Sequence, residues 1–214
     1  MNKTERWKKL IEDIANDFID IVDNRFVFEK FRNVLEKNHE LQKGNIFLDY
    51  IIANYASAMV SAVFRISDKK NGTISLRRLL YEIAADSRLL NKQWFNEQYK
   101  NSGFPQEIGR RDYENNIKKI GDLDRNDVED DIKTIIQATS KIEEFRNKRI
   151  GHKENQAEGQ SIKISVSFKD LYETVDTLKP MVHKYYILLT QRNIELESTI
   201  VYNWEAIFKE PWLH

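Results

Sequence analysis

The residues best suited to chemistry lie in one short segment, Phe145-Arg146-Asn147-Lys148-Arg149-Ile150-Gly151-His152. A neutral histidine, with an ordinary pKa of about 6.5, can take a proton from a ribose hydroxyl near neutral pH. An arginine beside it can hold a phosphate group and stabilise the negative charge that develops there. These residue types predict phosphodiester chemistry, with Arg146 at the phosphate and His152 at the proton.

No metal or other cofactor is expected for this chemistry. The segment is not accompanied by a cluster of carboxylates, and the chain has no cysteine. The lack of cysteine rules out disulfides, thiolate metal sites and thiol catalysis. It also fits a reducing compartment, and the charged start at 1–7 has no apolar signal core. The sequence predicts a metal-independent reaction in a cytoplasmic protein.

The helix that must position Arg146 is predicted from Asp127 to Gly151. At about 100° per residue, its apolar residues form one buried stripe, and Arg146 falls at the centre of that stripe. An isolated buried charge costs several kcal/mol, so this guanidinium must be paired, reach solvent, or lie in a cleft or subunit interface. A break in an apolar pattern is expected where function overrides folding. The stripe consists of Val128, Ile132, Ile135, Ile142 and Phe145.

The end of this helix concentrates positive charge. His152 follows Arg146 by six residues, which places it about 120° away around a straight helix. The two side chains can converge on one ligand only if the helix ends or distorts between them, and Gly151 supplies a place for this. Because the chain has 34 basic and 34 acidic residues, an RNA site must be a local patch. The residues predicted to assist RNA binding are Lys148, Arg149 and Lys153.

Composition and periodicity predict an all-α fold in a single domain, 1–214. With 7 glycines and 3 prolines, the chain favours long helices over strands. We expect an elongated bundle of four to five long helices plus short accessory helices. The N-terminal helices span 4–43, the core bundle spans 45–90 and 126–196, and 91–125 form an irregular excursion.

Local signals set the expected helix ends. Helix N-caps are predicted at four polar residues, and a break in the first helix is compatible with the pattern near Asp23. Pro180 lies inside the last apolar stripe, which resumes after it, so it is expected to kink that helix rather than end it. A short extended piece is expected at 162–166. The predicted caps are Thr4, Ser75, Asn126 and Ser167.

The most apolar stretch, 45–64, is about as long as a membrane span. It nevertheless contains polar residues, and polar groups left unpaired in lipid are costly. We therefore predict a central buried helix with no membrane association. These polar residues are Asp49, Asn54, Ser57 and Ser61.

Arg146-Asn147, four further residues and His152 resemble the signature of HEPN domains. The resemblance implies a motif at the end of a bundle helix, with two copies meeting across a homodimer to form one site. Many HEPN proteins are ribonucleases of toxin–antitoxin, abortive-infection and CRISPR systems. Some HEPN toxins carry a tyrosine two residues after the histidine, where an antitoxin modifies it. Here that residue is Glu154, so such regulation is not implied.

A second pair of segments is similar to the abortive-infection AbiU-type branch of this family, and the whole resemblance spans 45–195. In that branch an Arg-x-x-Asp ends an apolar helix and a Ser-Leu-x-x-Leu begins the next. The segments here are Phe64-Arg65-Ile66-Ser67-Asp68 and Ser75-Leu76-Arg77-Arg78-Leu79-Leu80.

The resemblance implies a bacterial defence or toxin protein that cleaves RNA and leaves a cyclic phosphate end. His152 is then general base or acid, Arg146 binds the scissile phosphate, and Asn147 orients. Its expected partners are RNA, a second copy of the chain, and an antitoxin or defence protein. Two alternatives stay open: a non-catalytic module of the same fold that binds RNA, a nucleotide or a protein, and a structural dimer with Arg146 in inter-subunit salt bridges.

Other candidate residues have structural explanations. Arg32-Asn33 with His39 has a form similar to the main motif, but Arg32 lies off the buried stripe of its helix. Arg65 and Asp68 are one helical turn apart, which favours a local ion pair. His183 is expected to pack at the boundary of the core, and the tryptophans are expected to pack in the core or at an interface.

Overall fold

The computed structural model describes residues 2–38, 45–101, 105–116, 123–151, 165–204 and 206. Helices dominate this part of the chain and it contains no β-strand, which confirms the all-α class. A 3-10 helix spans Ser87–Leu90 and a π-helical segment spans Arg146–Gly151. The α-helices are α1 Lys3–Glu36, α2 Ile46–Ser67, α3 Leu76–Ala85, α4 Lys92–Asn101, α5 Gln106–Asn116, α6 Arg125–Phe145 and α7 Phe168–Thr190.

Helix α1 is one unbroken helix of 34 residues. Its N-cap is Asn2, whose side chain accepts the backbone N–H of Thr4 at 2.9 Å, so the predicted cap at Thr4 is wrong. The break near Asp23 is also absent. The Asp23 carboxylate accepts hydrogen bonds from Ser198 and Thr199 of the segment after α7, and α1 continues unbroken past this residue.

One continuous core joins α1 and α7 with α3, α6 and the second half of α2. Burying a large apolar side chain is worth roughly 1.5–3 kcal/mol, and this core contains many such side chains. The largest fully buried side chains include Trp7, Phe18, Phe95 and Tyr185. Trp7 is fully buried, which confirms the core packing predicted for this tryptophan, and its indole N–H donates to Glu82 at 3.1 Å.

Helix α2 is not the central buried helix that its composition predicts. Only 17% of its most apolar window is buried, and the buried residues lie in its second half, from Met59 onward. Its first half faces the C-terminal half of α1 across an open apolar groove of about 680 Å³, in which Phe47 is 58% exposed. By length and composition alone, α2 could cross a membrane. Hydropathy was a poor guide because it does not tell which apolar residues another helix covers.

Helices α6 and α7 are held together at both ends. Ser167 and Asp170 form the predicted capping box at the start of α7, and Lys141 of α6 pairs with Asp170 at 2.7 Å. Near the other end, Asp131 of α6 accepts from Lys184 at 2.6 Å and from Tyr185 at 2.7 Å. Burial and the nearby Asp131 carboxylate raise the pKa of Tyr185 well above its ordinary value, so its hydroxyl stays a donor.

Other predicted helix ends were partly correct. Ser75 caps α3 by accepting the backbone N–H of Arg78 at 3.1 Å, as expected. Helix α6 begins at Arg125, two residues earlier than predicted, because the Asp124 side chain accepts the N–H of Asp127 at 2.9 Å, so the predicted cap at Asn126 is wrong. Helix α7 continues through Pro180. The predicted extended piece lies mostly outside the described residues.

The excursion at 91–125 contains the short accessory helices that the sequence predicts. Within the described residues it contains α4 and α5, which pack against each other, and it places Phe95 and Tyr99 in the core. The backbone of α5 at Gly109 lies close to the Tyr99 ring of α4, and a Cβ at this position would lie only 2.8 Å from Cγ of Tyr99. This close packing explains the glycine. This pair of helices is an accessory layer on the bundle.

Candidate RNA-binding site

The end of α6 is where the structure departs from a regular helix. The predicted stripe of α6 is buried, with Phe145 partly buried against the core. After Phe145 the chain widens into the π-helical segment that runs to Gly151. The distortion expected near Gly151 therefore begins five residues earlier, at Arg146. Such π-helical turns are rare and are frequent at functional sites.

The guanidinium of Arg146, at the centre of an apolar stripe, makes one contact with its flat face and one with an N–H group at its edge. Its Cζ lies 4.3 Å from the centroid of the Phe64 ring of α2, in a cation–π contact. Its Nη1 donates to Oδ1 of Asn147 at 3.0 Å. The flat face of the group is covered by an apolar ring while the residue stays partly exposed. The guanidinium is thus held in place without losing contact with solvent.

The two carboxylates nearest to Arg146 in the sequence are engaged elsewhere. Glu143 accepts from Nη1 of Arg77 at 3.0 Å and from Oγ1 of Thr139 at 3.2 Å. Glu144 pairs with Lys148 at 2.9 Å. Among the described residues, no carboxylate forms an ion pair with Arg146. Its positive charge is therefore not neutralised within the described part of one chain.

The predicted site residues fall into two groups. Arg146 and Asn147 lie together, and Lys148 lies beside them with its charge partly balanced by Glu144. Arg149 follows on the π-helical backbone. The side chain of Arg149, together with His152 and Lys153, lies outside the described residues. The positions of these three side chains stay predictions.

The two motif segments meet in space although they are far apart in the sequence. Phe64 supports Arg146, and the backbone carbonyl of Ser67 accepts from Arg77 at 3.5 Å. Arg77 itself reaches Glu143 in the last turn of α6. Sequence reasoning gave Arg77 no role. The one indication in the sequence was that Arg77 directly follows Leu76, on the helix face that α3 buries.

The minor candidates behave as structural residues, with one correction. Arg65 pairs with Asp17 of α1 at 3.4 Å, so the predicted ion pair with Asp68 is wrong. The Asp68 carboxylate instead accepts the backbone N–H of Lys70 at 2.9 Å, which draws it into the following turn.

Arg32 pairs with Glu36 at 3.0 Å on the surface of α1, as expected for a solvated flank, and His39 lies outside the described residues. His183 shares a hydrogen bond of 3.0 Å with Asn193. Within the described ranges, no group of three His, Cys, Asp or Glu residues is arranged to hold a metal ion.

The model of the HEPN family AbiU2 matches residues 4–203, nearly the whole chain and both motif segments. The fold and the match define the class as a HEPN protein of the abortive-infection type. The chain belongs to the AbiU2 family, which confirms the resemblance found in the sequence. Comparisons with curated proteins and with solved structures give no match.

Proposed function

We propose that this protein is an endoribonuclease of a bacterial defence or toxin system, and that Arg146, Asn147 and His152 form its site. The observation that supports this most is the state of Arg146. Its guanidinium is oriented by Asn147 and Phe64, while Glu143 and Glu144 are bound to other cations. An oriented, unneutralised guanidinium is suited to bidentate contact with a phosphate.

The proposed reaction needs only the RNA and two kinds of side chain. His152 accepts the proton of a ribose 2′-hydroxyl, and the 2′-oxygen attacks the adjacent phosphorus. The bond from phosphorus to the 5′-oxygen breaks, that oxygen takes a proton, and the products are a 2′,3′-cyclic phosphate and a 5′-hydroxyl. Arg146 stabilises the charge on the phosphate during this step, an effect worth about 10²–10³ in rate for comparable donors. This chemistry is metal-independent.

We further propose that the site is completed by a second copy of the chain. One histidine removes a proton and another group must return one to the leaving oxygen, a task that the corresponding histidine of the second copy can perform. Arg149 and Lys153 extend the basic surface along the RNA, and Lys148 contributes once RNA competes for it. The proposed location is the cytoplasm, with an antitoxin or defence protein as a further partner.

The test is cleavage of total cellular RNA by the pure protein in the presence of a chelator. Wild type is compared with His152→Ala and Arg146→Ala, and we expect each variant to lose at least about a hundredfold in rate. The cleaved ends are then assayed for cyclic phosphate. Circular dichroism and mass measurement establish that each variant is folded and has the oligomeric state of the wild type.

The chain provides its own matched control in Arg32. Like Arg146, Arg32 precedes an asparagine and a downstream histidine, but it is paired with Glu36 on the surface of α1. Arg32→Ala should cleave at the wild-type rate. Absence of cleavage by wild type, or equal cleavage by all variants, contradicts the catalytic proposal. The protein would then be a non-catalytic HEPN module that binds RNA, a nucleotide or a protein.

A further inference from the structure

Arg77 is a buried arginine that the proposed reaction does not use. It lies in the first turn of α3 and is only 7% exposed. Its Nη1 donates to Glu143 at 3.0 Å and to the carbonyl of Ser67 at 3.5 Å, while its buried Nε donates to no atom of the described residues. Burying a charge with one donor unsatisfied costs stability, so an apolar residue would serve the core better.

Glu143 is the residue on which this arrangement acts. It precedes Arg146 by three residues, and the backbone N–H of Arg146 is bonded to the carbonyl oxygen of Glu143, so the two lie on neighbouring turns of one helix surface. Opposite charges at this spacing are close enough to form an ion pair along the helix surface. Here the Glu143 carboxylate turns to Arg77 and Thr139 instead. The pairing that local geometry favours is therefore replaced by a tertiary one.

We propose that Arg77 is a positioning residue that sequesters Glu143 and so keeps the Arg146 guanidinium available to RNA phosphate. This rests on the proposed function of Arg146. Without Arg77, the Glu143 carboxylate turns along the helix and pairs with Arg146. The basic site would then lose its unneutralised charge without losing any residue that touches RNA.

The first test measures this change of partner without RNA. Free energies of unfolding in urea give the coupling between Glu143 and Arg146 from the variants Glu143→Gln, Arg146→Ala and the double variant. In the wild-type background we expect no coupling. In an Arg77→Met background a favourable coupling should appear. Zero coupling in both backgrounds, or equal coupling in both, overturns the proposal.

The second test measures binding of a mixed-sequence 20-nucleotide RNA that is 2′-O-methylated throughout and cannot be cleaved. We expect Arg77→Met to weaken binding about two- to fivefold, the effect of one partly exposed ion pair that competes with a phosphate contact. Adding Glu143→Gln to Arg77→Met should restore the wild-type affinity, because the competing carboxylate is gone. A double variant that binds no better than Arg77→Met shows that Arg77 acts only through packing, and overturns the proposal.

Two further variants separate electrostatics from stability. Arg77→Lys keeps a cation that can hold Glu143, so it should bind RNA as the wild type does. Lys184→Met removes one partner of a similarly enclosed ion pair, with Asp131, fifteen residues before Arg146 on α6. It should lower stability and leave RNA binding unchanged.

The outcomes distinguish the two proposals. If wild type and Arg146→Ala bind the RNA equally, the proposed role of Arg146 fails, and the coupling experiment still decides whether Arg77 holds Glu143. If Arg146→Ala weakens binding and Arg77→Met does not, the proposed function stands and the sequestration of Glu143 is wrong.

Discussion

At the scale of single residues, the candidate site depends on how charges are distributed among partners. Arg146 lies among three acidic or amide side chains, and only the neutral one, Asn147, bonds to it. An amide oxygen fixes the orientation of a guanidinium and leaves its charge in place. A carboxylate fixes the orientation and also neutralises the charge. Under the proposed function, we therefore expect asparagine at this position to keep the positive charge of Arg146 available to phosphate.

Asn147→Asp tests this consequence, because it replaces the neutral acceptor with a charged one at the same position. We expect RNA cleavage to fall at least about tenfold, since an adjacent carboxylate competes with phosphate for Arg146. Stability in urea should be unchanged or slightly higher. Asn147→Ala is the matched variant and should lose less activity than Asn147→Asp. Wild-type cleavage by Asn147→Asp contradicts the assigned role of the amide.

At the scale of elements, the ends of the helices carry much of the specificity of the fold. The capping box at the start of α7 also ties that helix to α6, because Asp170 accepts from both Ser167 and Lys141. In helix α2, by contrast, no local sequence signal shows which part is buried, because its two halves have similar composition and different burial. Its second half carries Phe64 and is fixed in the core, which is what the site requires.

The capping box of α7 predicts that the free energy of unfolding falls over a defined range of acidic pH. The hydrogen bond from Lys141, followed by those from Ser167, lowers the pKa of Asp170 from 3.8 to about 2. A carboxyl with a lowered pKa in the folded state stabilises fully above its unfolded pKa, and this stabilisation is lost as pH falls through the folded one.

The expected window is therefore about pH 4 to pH 2. Urea unfolding should show a constant gap between wild type and Asp170→Asn above this window and a shrinking gap within it. Lys141→Met removes the largest cause of the lowered pKa of Asp170. It should raise the folded-state pKa and therefore raise the lower pH limit of the window. A gap that does not change with pH contradicts the assignment.

The two halves of α2 predict contrasting substitution effects. Ile66→Ala, in the buried half, should lower the free energy of unfolding by about 2–5 kcal/mol, because it leaves a cavity in the core. Phe47→Ala, in the exposed half, should change it by no more than about 0.5 kcal/mol in the isolated chain. Urea titration of both variants checks the pair. A large loss for Phe47→Ala means that the groove between α1 and α2 is covered in solution.

At the scale of the whole molecule, the balance of 34 basic and 34 acidic residues has two effects. It leaves no net repulsion to oppose association of two copies, and it provides no general attraction for RNA. The proposed RNA binding must therefore depend on the local charge at the end of α6. A second copy that brings another such end to the same place would double that charge.

The proposed dimer predicts a mass of twice 25.5 kDa in solution and cleavage that falls on dilution into the monomer range. Mixing a fixed amount of wild type with excess His152→Ala should lower the activity, because each mixed dimer keeps only one of the two histidines that the composite site uses. Light scattering and a dilution series check the first point, and the mixing assay checks the second. Full activity of a monomer contradicts a composite site.

The sequence by itself determined the features that follow from local periodicity and capping. These include the all-α class, the cap at Ser167, the buried stripe of α6 and the position of Arg146 at the end of that stripe. It also carried the family, because the motif residues are sequence features. Such inferences succeed because a side chain's place on a helix depends only on its number along the chain.

Only the tertiary structure decided what faces each of these residues. Phe64 and Arg77 contact the end of α6 from other helices. Arg65 pairs with Asp17 instead of Asp68, and within the described residues the first half of α2 is not covered by another helix. Local spacing predicts the nearest available partner, but a folded chain also offers partners from distant positions. Where such a contact is enclosed, as between Arg77 and Glu143, burial strengthens it. Whether a carboxylate neutralises the charge of Arg146 therefore depends on the packing of α2, α3 and α6, which no single segment encodes.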